Sequence, residues 1–176
     1  MPLQRRHFLQ SSLCLGTVPL LGCGPPLRDL QITTLGAALQ EMRRLGQAPA
    51  LHSATAWSWA RTLEHLAQSI EYSMTGYPTP NSALFQRVVG PSALAFFSWR
   101  GQMRHDLTAP IPGSPAIADH TPLDQATIRL LTACQQFMQW QAPLQPLFAY
   151  GPLTHAAYEQ AHALHLANHF AAFRAA

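Results

Sequence analysis

Three segments of this chain repeat apolar residues every three or four positions, and glycine and proline punctuate the stretches between them. Residues 32–47 carry Leu35, Leu39, Met42 and Leu45 at this interval. Residues 55–75 carry Trp59, Leu63, Leu66, Ile70 and Met74, and stop at Gly76 and Pro78. Residues 123–141 carry Leu123, Ala126, Leu130, Cys134, Phe137 and Trp140. A helix turns about 100° per residue, so each set shares one face. Thr33 or Thr34 stands ready to cap the first helix. Residues 82–102 read as a further helix, bent near Gly90 and Pro91, where proline removes a backbone donor. A closing helix falls within residues 150–174, with Pro152 suited to its first turn. No stretch alternates convincingly at the two-residue period of a strand, and no internal repeat is visible. The expected architecture is all-α: a four-helix bundle with an extra helix and a long crossover in the middle connection. That crossover, residues 104–122, is irregular and proline-rich. Connections of this length in compact domains are often functional, for example as lids.

The closing segment holds four of the nine histidines: His155, His162, His165 and His169. The last three form one stripe on a helix. One ion cannot use the whole stripe, because His162 and His169 are separated by about 10.5 Å of axial rise and zinc–nitrogen bonds are about 2.0–2.1 Å long. One neighbouring pair can chelate, either His162 with His165 or His165 with His169. The i, i+4 pair has the spacing of helical zinc sites. His65, on the second helix, joins the site if that helix packs opposite, and Ser69 and Tyr72 share its face. His105 and Asp106, at the start of the crossover, are within reach of a site, although a helix-end cation and a capping acid are their commoner roles.

The first 23 residues read as an address. Arg5 and Arg6, followed by His7, Phe8 and Leu9, look like a twin-arginine export signal. The apolar run after them is too short for a comfortable membrane span. Leu20, Leu21, Gly22 and Cys23 resemble a lipobox, in which the cysteine becomes lipidated. The expected organisation is a signal over residues 1–23, a tether over 24–31 and a helical domain over 32–176. The expected location is the cell envelope, as a periplasm-facing lipoprotein held at the membrane through Cys23.

All 11 basic residues are arginine, against 8 acids. Without Arg5 and Arg6 the chain is nearly neutral, and no basic stripe with interleaved aromatics marks a nucleic-acid surface. Cys14 and Cys23 fall in the address, which leaves Cys134 on an apolar face as a buried structural thiol.

The stretches "LEHLAQSIEYSMTGYP" and "HALHLANHF" resemble the DinB/YfiT-like superfamily of four-helix proteins, most closely a branch of exported members. The resemblance covers roughly residues 32–174. It implies a divalent metal ion (zinc, nickel, iron or manganese) held by His65, His165 and His169. It also implies hydrolase-like or thiol-transferase-like chemistry on a small molecule, and a bundle that often pairs as a homodimer. His162 is an additional histidine on the same stripe. Phe170, Ala171 and Ala172 stand where the superfamily usually carries Arg-Gly-Gln.

Three imidazoles leave coordination positions open, as catalytic sites do. Acid–base candidates are Glu64, Glu71, Glu159, His162 and Tyr72, with His162 and Tyr72 favoured as partners beside the metal. Glu159 and His162 match half of a di-iron motif, but no second Glu-x-x-His exists to complete it. There is no glycine-rich phosphate loop, no H-E-x-x-H and no nucleophile elbow. The alternative is a non-catalytic envelope lipoprotein that acts as a binding or structural module.

Overall fold

The structure, a computed structural model, describes residues 26–118 and 120–176. The expected export signal and the expected lipobox at Cys23 lie outside the described residues.

The chain forms α1 (Leu35–Gly46), β1 (Leu51–Ser53), α2 (Trp59–Thr75), α3 (Ala83–Arg100), α4 (Leu123–Gln139), α5 (His155–Phe170) and β2 (Phe173–Ala175). Four of the helices start at a hydroxyl cap. Thr34, Ser58, Ser82 and Thr154 each accept a hydrogen bond from the backbone N–H three residues on. Such a bond satisfies a donor that the first turn leaves without a partner. Thr154 therefore begins α5 later than Pro152 suggested. Pro152 instead follows a tight loop in which Leu147 and Gly151 pair across an isolated bridge.

The helices form a bundle in which α2 packs most extensively on α4, and α1 on α5. Most of the seam residues expected from sequence are buried, although Leu123 at the start of α4 is exposed and Trp140 at its end is half-buried. Leu35, Leu45, Leu63, Leu66, Ile70, Leu130, Cys134 and Phe137 are all fully buried, with Tyr158, Leu166 and Phe170 added from α5. Burial raises the pKa of the Cys134 thiol to about 12, so it packs as an inert apolar group.

The helix α3 runs unbroken through Pro91 and touches chiefly α5. It lies so close to the loop before α5 that a Cβ on Gly90 would sit 2.2 Å from the Ala149 carbonyl oxygen. Gly113 has the same office in the crossover. Its φ is +73°, and a Cβ there would meet the Thr79 hydroxyl at 2.1 Å.

The expectation of no strand is corrected. β1 and β2 pair antiparallel, with Leu51 opposite Ala175, His52 opposite Arg174 and Ser53 opposite Phe173. Hydrogen bonds from Ala54 N to Ala172 O and from Ala176 N to Ala50 O extend the ladder. Three-residue strands are too short for an alternating signal, and "FAAFRAA" reads locally as more helix. The pairing ties the loop between α1 and α2 to the end of α5, which bears on the histidines.

Candidate metal centre

Helix α2 places His65 on its inner face, and the Leu63, Leu66 and Ile70 seam fixes that face against the core. Helix α5 brings His165 and His169 up from the other side. The rings of His65 and His169 have centroids 4.8 Å apart, His165 and His169 4.8 Å, and His65 and His165 5.3 Å. One nitrogen from each ring lies within 4.8 Å of the others. His65 is 3 % exposed and His169 2 %, while His165 is half-buried and opens into a pocket.

These nitrogens have the character of metal ligands. His65 Nδ1 and His169 Nε2 are buried with no hydrogen-bond partner. A buried polar atom without a partner costs about 1–3 kcal/mol, and a cation relieves that cost. Burial, and then His105, lowers the pKa of His65 from 6.5 to about 4. Burial also holds His165 and His169 well below the ordinary range, aided by their neighbours in the cluster. All three rings are thus neutral at neutral pH, with lone pairs free to donate. An N3 donor set suits zinc, nickel or iron, with open positions left over.

Two groups that close the site carry little signal in the sequence. Trp57 is 6 % exposed, stacks on His169 with an interplanar angle of 18°, and meets His65 edge-on at 5.1 Å. It sits in the loop that the β1–β2 pairing holds down, and the Arg61 guanidinium lies 5.1 Å above its ring. His105 comes from the crossover, and its ring is 5.1 Å from both His165 and His169. The residue remains exposed at the rim. Desolvation of its ring still lowers its pKa, against the opposing pull of Asp106. The commoner role of a helix-end cation does not apply to His105, because α3 has already ended at Arg100. Asp106 instead accepts hydrogen bonds from the backbone and hydroxyl of Thr108.

His162 lies one turn from His165 but outside the cluster of three. Its ring packs against Phe137 at 5.0 Å and Tyr158 at 5.4 Å. It does line the pocket, its Nε2 has no partner, and burial lowers its pKa to about 3. Of the two pairings open on the stripe, the fold brings His165 and His169 together with His65. Tyr72 is not brought to the cluster. It is half-buried and packs on Tyr77 at 5.7 Å. Glu64 and Glu71 are also removed from the site, because Arg129 of α4 pairs with both. Glu159 is absent from the pocket lining.

The pocket beside the histidines has a volume of about 340 Å³. His65, Ser69, His162 and His165 form its polar side. Ile111 and Pro112 of the crossover, with Leu147, Phe148 and Tyr150 of the loop before α5, form an apolar wall. Pockets of this size accept small molecules and hold them mainly through apolar contact.

A helical bundle with three converging histidines and an adjoining apolar pocket defines a class of DinB-like domain with a possible three-histidine metal site. Residues 25–176 match the family described as Protein of unknown function (DUF1569), a DinB/YfiT-like domain family, and the chain belongs to it. No curated protein and no solved structure matches the chain.

Proposed function

We propose that this protein is a divalent-metal-dependent enzyme, hydrolase-like or thiol-transferase-like, acting on a small molecule with an apolar portion. The observation that carries the reading is the convergence of His65, His165 and His169 at the polar end of an apolar pocket. These three residues would hold the ion. When bound, such an ion supplies Lewis acidity at its open positions. The chain's own groups do the rest. Ile111, Leu147 and Phe148 hold the apolar portion and exclude water. His162 Nε2, buried and without a partner, orients a polar hydrogen of the substrate. His105, at the rim with access to solvent, carries protons in and out.

The address in the first 23 residues supports export and attachment to the membrane through a lipid on Cys23, facing the periplasm. A second reading, a non-catalytic binding module of the envelope, is favoured by one observation. Among the described residues, the only carboxylate lining the pocket is Asp106, and one of its oxygens, Oδ1, already accepts two hydrogen bonds from Thr108.

Thermal unfolding with and without zinc, nickel or manganese separates the two readings. An ion at 100 times its dissociation constant adds about 2.7 kcal/mol, which raises the midpoint by roughly 5–10 °C for a chain of this size. The enzyme reading predicts that shift and predicts its loss in His65→Ala and His169→Ala variants that keep their helicity. An unchanged midpoint with every ion leaves the binding module.

A further inference from the structure

Helix α3 turns an apolar face to solvent. Leu84 is 74 % exposed, Val88 57 %, Phe96 49 % and Trp99 83 %. With Phe85 and Val89 beside them, they follow helical spacing along about 22 Å of the axis. Gly90 and Leu94 form the buried side of the same helix. Exposed large apolar side chains gathered on one face mark a contact surface.

Charge and position indicate what covers it. The helix carries Arg87 and Arg100 and no acid, and Arg104 follows shortly after. Exposed aromatic and aliphatic side chains bury apolar area in a bilayer interface, and arginines as the only charges of the helix are attracted to anionic headgroups. A second copy meeting this face across a two-fold axis would bring arginines together with no acid from either helix. The leading part of the chain passes the end of this helix, where Gln102 Nε2 donates to Asp29 Oδ1. Cys23 precedes Asp29 by six residues, a reach of at most about 21 Å. A lipid on Cys23 would therefore hold the Trp99 end of α3 near the membrane surface.

We propose that α3 lies on an anionic lipid bilayer, with Leu84, Val88, Phe96 and Trp99 in the interfacial layer and Arg87 and Arg100 on the headgroups. The proposal rests on the exposed face, and anchoring at Cys23 adds proximity.

The test uses the full chain with phosphatidylcholine vesicles, with and without phosphatidylglycerol, whose acyl chains are brominated to quench nearby tryptophan fluorescence. Trp57 and Trp59 are buried and Trp140 is half-buried, so Trp99 dominates the lipid-dependent signal. Quenching is expected to be stronger in the anionic vesicles and to be at least halved by Trp99→Phe. It is also expected to be at least halved by Val88→Ser with Phe96→Ser, both exposed positions that leave the helicity unchanged. Cys23→Ser separates the anchor from the helix: α3 contact persists in that variant when vesicles are in large excess. The proposal is overturned if vesicle-bound protein shows no quenching of Trp99. It is equally overturned if sedimentation shows a dimer that Val88→Ser with Phe96→Ser abolishes, because a second copy then covers the face.

Discussion

Trp57 and His105 shape the histidine cluster from outside the helices that supply its nitrogens. Trp57 covers His65 and His169, so Trp57→Ala opens the cluster to water as well as removing a large buried ring. The expected cost is about 3–5 kcal/mol, measured by denaturant unfolding. Trp57→Phe should recover most of it, because a smaller ring still fills the slot. His105 faces two of the three proposed ligands without belonging to the nitrogen cluster. His105→Ala should weaken zinc binding by about tenfold, in the range of groups that act through a ligand rather than as one. His165→Ala should remove stoichiometric binding altogether, and calorimetric titration distinguishes the two. In the sequence, helical spacing makes His165 common to two possible pairs, with His162 or with His169, and it is the family resemblance that implies His65, His165 and His169 as the set. Nothing periodic points to Trp57 or His105, since both lie in irregular chain whose path only the assembled fold decides.

Among elements, the α2–α4 pair is tied by Arg129, which makes paired hydrogen bonds of 2.9 and 2.6 Å to Glu71 and also reaches Glu64. Glu64 is 8 % exposed, whereas about a third of the Arg129 and Glu71 side chains stays open to solvent. Removing the arginine leaves one carboxylate buried without its charge partner, so Arg129→Ala should cost about 2 kcal/mol, less than a fully buried pair would. Replacing Glu71 with Gln should cost under about 1 kcal/mol, because that partner is the more solvated. The seat of α3 depends on Gly90. A methyl there collides with the Ala149 carbonyl rather than with a flexible side chain. Gly90→Ala should therefore destabilise by about 1–3 kcal/mol despite its better helix propensity. Hydrogen exchange should show the loop at 147–151 loosening, and with it one wall of the pocket. The sequence shows α3 as a helix, yet it does not show that this helix leaves its apolar face uncovered. Periodicity identifies a face without naming what meets it.

For the whole molecule, the buried imidazoles make stability depend on acid. His162 has a pKa of about 6.5 unfolded and about 3 folded. The unfolded chain therefore takes up a proton first as the pH falls. The contribution is fully present above pH 6.5 and drains away below it, at up to about 1.4 kcal/mol per pH unit for each such group. His65 behaves alike down to about pH 4. Metal-free protein should lose stability between pH 6.5 and 4, and His162→Phe should flatten part of that slope. A bound ion should steepen the loss, because protons and the metal compete for the same nitrogens. At this scale the helical bundle was legible in three apolar seams and their stops. The β1–β2 pairing was not, because its six residues gain their partners from opposite ends of the domain. Nor was the exclusion of His162 from the cluster, which depends on Phe137 and Tyr158 claiming its ring.

The most direct measurement is the metal content of the purified full chain by elemental analysis, set beside the His165→Ala variant. Close to one divalent ion per chain in the native protein, and almost none in the folded variant, is the predicted result. Native protein that stays metal-free after incubation with zinc, nickel, iron and manganese, or a variant that holds as much metal as the native chain, would contradict it.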